Sequence, residues 1–150
     1  MRFLQLSTAL LGSICILSSC SPSSDHDHIE KLDAEILEIH DEVMPKLEDI
    51  NHYSEEIRSK MAQLDSLQQE GVSSNTVAEQ RLKATDLLAK LQEADSLMWA
   101  WMRAYEADSA KALADEDAIL QYFENEKQKI ITVKEKTENS IREAQSFLEN

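Results

Sequence analysis

Four residues of this chain combine the side-chain types and the spacing of a soft-metal site. His40 and Met44 are four positions apart, as are Met98 and Met102, so each pair would share one face of a helix. An imidazole and several thioethers form a ligand set suited to Cu(I). Methionine at helical spacing is also typical of core packing, because its flexible thioether fills irregular gaps. We favour packing and expect no metal; the alternative is a periplasmic Cu(I)-binding protein that uses His40, Met44, Met98 and Met102.

Catalytic chemistry has less support than metal binding. His40-Asp41-Glu42 supplies acid and base groups, but no serine or cysteine nucleophile is placed with them. The sequence also lacks a glycine-rich loop for phosphate. We therefore expect neither an enzyme nor a cofactor. The chain has 29 acidic and 15 basic residues, a net charge of −14, which disfavours nucleic-acid binding.

The first twenty residues have the pattern of a lipoprotein signal peptide. Arg2 precedes an uncharged and largely apolar run, from 3 to 17, that is too short to span a bilayer. The run ends in Leu17-Ser18-Ser19-Cys20, which resembles a bacterial lipobox. The resemblance implies removal of residues 1–19 and lipid attachment to Cys20, which would anchor the chain in a membrane. The alternative is an ordinary signal peptide that happens to end near a cysteine.

Residues 20–27 contain proline, serine and aspartate without periodic apolar residues, and we expect a flexible tether there. Within it, Ser24-Asp25-His26-Asp27 resembles the acidic signals that route some lipoproteins to the outer surface. We expect a lipid-anchored location in the bacterial cell envelope, with the outer membrane favoured over the inner. The sequence leaves open whether the protein faces the periplasm or the outside.

Beyond the tether, apolar residues recur at steps of three and four, and no run alternates with a period of two. Glycine and proline are scarce, which favours long helices. Short connections make consecutive helices antiparallel. The predicted fold class is therefore all-α, an elongated, coiled-coil-like, up-down-up three-helix bundle. Its helices are expected at about 28–70, 77–105 and 115–149 within a domain of residues 28–150.

Pro45 interrupts the first of these helices. Its ring removes one hydrogen bond and clashes with the carbonyl of Asp41. We expect a kink rather than a complete break, because Met44 would be a poor N-cap. Gly71 suits the left-handed position that ends this helix.

Pairing the helices across their turns places large side chains at one end of the bundle. Met44 then faces Met102, and His40 falls near Glu106. Trp99 and Trp101 lie about 200° apart on a helix, so one of them should be partly exposed and available for a functional contact. The aromatic residues expected to converge at this end are Trp99, Trp101, Tyr105, Tyr122 and Phe123.

When the helices are paired across their turns in this way, the apolar stripe at the start of the first helix has no residues opposite it. We expect Ile29, Leu32, Ile36 and Ile39 to be covered by the 106–114 connection, by another copy or by another protein. Lys127 and Lys134 fall at inward positions of the third helix, so its C-terminal half is expected to pack less well. The candidate interaction residues are Trp99, Trp101, Met102, Tyr105, His40, Met44, Pro45, Ile36 and Ile39.

The block from His40 to Lys46, followed further along by Trp101-Met102, resembles small bacterial helical lipoproteins catalogued as "viral A-type inclusion protein" homologues. Members of that family tend toward methionine and glycine where this chain has Leu47 and Glu48. The resemblance implies a helical lipoprotein without an assigned activity. We therefore expect a membrane-anchored protein with a non-catalytic structural or interaction role, acting through a protein partner or through self-association.

Overall fold

A computed structural model describes residues 23–71 and 75–149, and every regular element in those ranges is an α-helix. The predicted all-α class is confirmed, and neither range contains a strand. The signal peptide and Cys20 lie outside the described residues. The helices are α1 (Ser23–Val43), α2 (Lys46–Gln69), α3 (Asn75–Ala104), α4 (Ala107–Lys111) and α5 (Glu116–Leu148).

Helix α1 begins at Ser23, so the part of the expected tether from 23 to 27 is helical. Helix α5 begins where the sequence suggested, with the Asp115 side chain accepting a hydrogen bond from the backbone N–H of Asp117. At the end of α2, Gly71 has φ +86°, the left-handed conformation expected there.

Pro45 divides the first predicted helix into α1 and α2, with Met44 and Pro45 between them. Pro45 itself keeps helical angles, φ −61° and ψ −28°. The backbone N–H groups of Leu47 and Glu48 bond to the carbonyls of Met44 and Pro45, each at 3.2 Å. These hydrogen bonds join residues three apart, as in a 3₁₀-helix, and replace the α-helical hydrogen bonds that proline interrupts. The chain therefore resumes as a helix directly after the interruption.

Helix α5 packs against α1, α2 and α3. Its polar contacts with α1 and α2 keep a constant separation of 92 residues: Lys127 with Glu35, Lys134 with Glu42, Lys46 with Glu138 and Gln145 with Tyr53. The register of α5 is thus the same on both sides of Pro45. Against α3 the numbering runs in opposite directions, since Lys90 pairs with Glu143 and Glu93 with Lys136.

The Ile29–Ile39 stripe has a partner helix that the pairing across the turns did not give it. Ile29, Leu32 and Ile36 are buried core residues, and α1 packs along α5. The pairing count considered only the second helix and overlooked that the third returns alongside the first. Ile36 is fully buried and is therefore not available as an interaction residue, while Ile39 is partly buried against the core.

Lys127 and Lys134 do not weaken the packing of α5 in the way we expected. Their ammonium groups pair with Glu35 and Glu42 at the boundary between α1 and α5, and Lys134 Nζ lies 2.6 Å from Glu42 Oε2. The largest fully buried side chains of the core come from four helices: Ile36, Val43, Ile57, Leu87, Leu91, Met98, Phe123, Ile130 and Thr137.

The connection at 106–114 contains the short helix α4, which the sequence pattern did not indicate. Ala110 is buried, and Lys111 Nζ donates to Asp33 Oδ2 at 2.7 Å and lies 2.9 Å from Glu30 Oε1. Helix α4 therefore attaches the connection to α1. It also explains why the start of α1 is covered.

Candidate functional site

Five rings form a continuous series across α1, α3 and α5. His40 lies 5.6 Å from Trp101, Trp101 stacks on Tyr105 at 4.9 Å, and Tyr105 stacks on Tyr122 at 6.3 Å. Phe123 meets Tyr122 edge-on at 5.3 Å. The expected convergence of aromatic residues is confirmed for Trp101, Tyr105, Tyr122 and Phe123. His40 lies against Trp101, more than one helical turn before the Glu106 position that the pairing count suggested.

The two tryptophans differ in exposure, as the helical geometry predicted. Trp101 is 6% exposed, whereas Trp99 is 44% exposed and lies outside the ring series. The indole N–H of Trp99 donates to Asp95 Oδ1 at 3.1 Å, one turn earlier in α3. Trp99 is therefore an accessible aromatic surface, and Trp101 is part of the core wall.

A polar network ties the ring series to α1 and α4. The hydroxyl of Tyr105 donates to Asp33 Oδ1, whose second oxygen accepts from Lys111. Burial and the Asp33 carboxylate raise the pKa of Tyr105 well above its ordinary value, so the phenol stays protonated. The hydrogen bond to Asp33 likewise raises the pKa of Lys111. Tyr105, Asp33 and Lys111 therefore use their polar groups in hydrogen bonds that hold the helices together.

The four residues of the soft-metal hypothesis differ in accessibility. Met98 is fully buried, while Met44 and Met102 are partly buried against the core. His40 keeps 20% of its side chain exposed, and its Nδ1–H donates to Asp41 Oδ1 at 2.9 Å. Among residues 23–71 and 75–149 there is no group of three or more His, Cys, Asp or Glu side chains arranged for a metal ion.

A groove between α3 and α5 was not anticipated from the sequence. Its volume is 350 Å³, and Trp101 and Glu126 lie at its wall. The remaining lining is mostly apolar on α3 and mixed on α5: Leu97, Ala100, Ala104, Lys129, Thr132 and Val133. Ligand pockets commonly have this make-up, an apolar surface with a few placed polar groups.

The polar groups of this groove are incompletely paired. The Glu126 side chain is only 4% exposed, and its Oε1 accepts from Lys129 Nζ at 2.6 Å. Its Oε2 and the Trp101 indole Nε1 are both buried and have no hydrogen-bond partner within the described part of the chain. Buried polar groups are nearly always hydrogen-bonded in folded proteins. The groove is therefore the place where a further hydrogen-bonding group would be accommodated best.

A signal for Glu126 was present in the sequence. The core positions of α5 follow steps of three and four through Phe123, Glu126, Ile130 and Val133. Phe123 and Ile130 are fully buried, and the helical step between them falls on Glu126. A charged side chain at a core position marks a site that packing alone does not explain.

No helix within the described ranges is both long enough and apolar enough to cross a membrane. Comparison of the chain with protein-family models, with curated proteins and with solved structures found no match. The resemblance to small helical lipoproteins therefore remains a prediction from the sequence blocks themselves.

Proposed function

We propose that this protein is a lipid-anchored helical lipoprotein of the bacterial envelope with a non-catalytic role in protein interaction. We further infer that its helices form an up-down-up three-helix bundle, in which α1 and α2 make the first limb, α3 the second and α5 the third. The constant separation of 92 residues between the first limb and α5 supports this topology. So do the contacts of α3 with α5, which run in opposite directions along the two helices.

Anchoring is argued from Leu17-Ser18-Ser19-Cys20 and from the start of α1 at Ser23. A lipid on Cys20 would hold the first turn of α1 close to the membrane surface. The resemblance of His40–Lys46 and Trp101-Met102 to small helical lipoproteins points the same way.

Labelling with an alkyne analogue of palmitate, followed by membrane fractionation, tests the anchor. The wild-type chain should be labelled and should sediment with membranes, and Cys20→Ser should lose the label. Cys15→Ser is the matched control, because these are the two cysteines of the chain, and it should remain labelled. Equal labelling of Cys20→Ser and wild type would refute lipidation at Cys20.

The interaction role is argued from the groove between α3 and α5, where the buried Trp101 Nε1 and Glu126 Oε2 are unpaired within the described residues. A photocrosslinker such as p-benzoylphenylalanine, introduced at Ala100 on the groove rim, tests this role in cells. The control position is Leu82, which is 73% exposed on the same helix and lies outside the groove. We expect a defined crosslinked product from Ala100 that is absent at Leu82. Identical product patterns from the two positions would contradict a binding role for the groove.

A second candidate function is Cu(I) binding through His40, Met44, Met98 and Met102. The observation in its favour is the His40 Nδ1–Asp41 hydrogen bond, because metal-binding histidines usually donate their other N–H to a carboxylate. Competition with a chromogenic Cu(I) chelator measures the affinity. Met44→Leu combined with Met102→Leu should abolish binding, and Met61→Leu, at a distant position of α2, should leave it unchanged. Binding that survives the double substitution would exclude this site.

A further inference from the structure

We propose that the groove between α3 and α5 binds an extended apolar peptide segment of a partner protein. One residue of that segment donates its backbone N–H to Glu126 Oε2, and a backbone carbonyl accepts from the Trp101 indole N–H. The inference rests on the proposed interaction role and specifies the chemistry of the partner.

The two unpaired atoms define what the ligand must carry. Trp101 Nε1–H can only donate, and the Glu126 carboxylate, paired with the Lys129 ammonium, can only accept. A carboxylate or phosphate ligand has no proton to donate and would face the negative charge of Glu126. An ammonium group has no lone pair for the indole N–H. The complementary ligand is a neutral group that both donates and accepts, as an amide does.

The stacking partners of Trp101 limit how it can take part. His40 lies 5.6 Å and Tyr105 lies 4.9 Å from its ring, so the indole is already engaged with two neighbouring rings. The buried and unpaired Nε1–H is the part of the indole that can still take a hydrogen bond.

The groove suits a peptide backbone by its length and by its small residues. Leu97 and Ala104 are two turns apart on α3, a distance of about 10 Å, which matches about three extended residues. Ala100 and Ala104 have short side chains that allow a backbone to come close to α3. Leu97 and Val133 supply apolar walls for one or two side chains of the segment.

Lys129 bonds to Glu126 at the groove and also extends into solvent. Its side chain is 60% exposed although its ammonium bonds to Glu126 Oε1. A rotation of this flexible side chain would open the carboxylate to an incoming N–H, while the attraction between the two charges is retained. Trp101 comes from α3 and Glu126 from α5, so the two atoms lie on opposite walls of the groove. Successive residues of an extended backbone present their N–H and C=O groups to opposite sides, which fits one hydrogen bond to each wall.

The test uses the full chain in lipid nanodiscs, labelled with 5-fluorotryptophan and observed by ¹⁹F NMR. The chain has two tryptophans, and Trp99→Phe assigns their signals. The probe is N-acetyl-Val-Leu-Val-dimethylamide. Its control is the depsipeptide of the same shape, in which ester oxygens replace the three N–H groups. The Trp101 signal should shift with millimolar peptide while the Trp99 signal stays, and the depsipeptide should bind at least about tenfold more weakly.

Two variants separate the groove from a general effect on the fold. Glu126→Met removes the acceptor and should weaken peptide binding at least about tenfold, with the ¹⁹F spectrum of the free protein still dispersed. Leu82→Ala, at a 73% exposed position of α3 outside the groove, should leave the affinity unchanged within about twofold.

An unshifted Trp101 signal at millimolar peptide overturns the proposal, as does equal binding of the depsipeptide. After the former result, a buried bridging water would be the expected hydrogen-bond partner of the two atoms. Crosslinking from Ala100 distinguishes this failure from failure of the proposed function. A crosslinked partner at Ala100 without peptide binding would preserve the interaction role and refute the peptide chemistry. Peptide binding without a crosslinked partner at Ala100 would refute the interaction role.

Discussion

Glu126→Met should stabilise the protein. The Glu126 side chain is 4% exposed and its Oε2 has no hydrogen-bond partner in the described ranges. Leaving such an oxygen buried costs about 1–3 kcal/mol. The ion pair that the substitution removes is weak, because Lys129 is largely in solvent, and such pairs contribute about 0–1 kcal/mol. Methionine has a similar volume and helix propensity.

The balance of these terms is a gain of about 1 kcal/mol in the free energy of unfolding. For a domain of this size, the melting temperature should rise by about 3 °C. Urea titration followed by circular dichroism at the helical band measures the first quantity, and a thermal scan measures the second.

Two further variants control the experiment. Glu124→Met makes the same chemical change at an exposed position of α5 and should shift the free energy of unfolding by less than about 0.5 kcal/mol. Glu126→Gln keeps a polar group in the same place and should bring no gain. If Glu126→Met instead destabilises the protein by about 1 kcal/mol or more, the carboxylate is satisfied in solution and the argument for an unpaired oxygen fails.

Three other substitutions or conditions test the fold. Ile36→Ala should lower the free energy of unfolding by about 3 kcal/mol, because Ile36 of α1 is fully buried. Leu37→Ala, at the 45% exposed neighbouring position, should lower it by less than about 0.5 kcal/mol, and similar losses from the two substitutions would contradict the burial of the α1 stripe. Gly71→Ala should cost about 1 kcal/mol in urea titration, since φ is +86° and no atom obstructs a Cβ there; an unchanged midpoint would refute the left-handed turn, and Gly71→Asn should cost less. Hydrogen bonds from Lys127 and Lys134 lower the pKa values of Glu35 and Glu42 below the ordinary 4.5. The two ion pairs therefore stabilise the folded protein above pH 4.5, and this stabilisation is lost as the pH falls through the lowered pKa values. Lys127→Met combined with Lys134→Met should flatten that part of the curve of unfolding free energy against pH, and an unaltered curve would count against these pairs.

The helical pattern predicted the elements because it depends on local spacing alone. Ile50, Ile57 and Leu64 recur at steps that only a helix places on one side, and they are buried. The same geometry predicts that one of the two tryptophans is exposed, and Trp99 is the exposed one. Pro45 was recognised because its effect on the backbone is independent of the tertiary structure.

The covering of α1 could not be obtained in the same way. Pairing across the turns compared consecutive helices, and it left Ile29 and Leu32 without a partner helix because it did not consider contacts between the first and last helices. Helix α4 was missed because five residues are too few to establish a period. Glu126 was not among the candidate residues, although the spacing of the core positions of α5 places it inside.

The start of α1 at Ser23 has a consequence for how far the protein extends. From Ser23 to Gln69, the first limb measures about 70 Å along its axis at 1.5 Å per residue. His40, beside Trp101 at the edge of the ring series, lies about 25 Å along that limb. On an upright, anchored rod, the groove would then stand some 25 Å above the lipid. A partner embedded in the same membrane would need a stalk of about eight extended residues to place a peptide there. Partners whose segments end closer to the lipid could not reach the groove, so the height of the groove above the bilayer would exclude them.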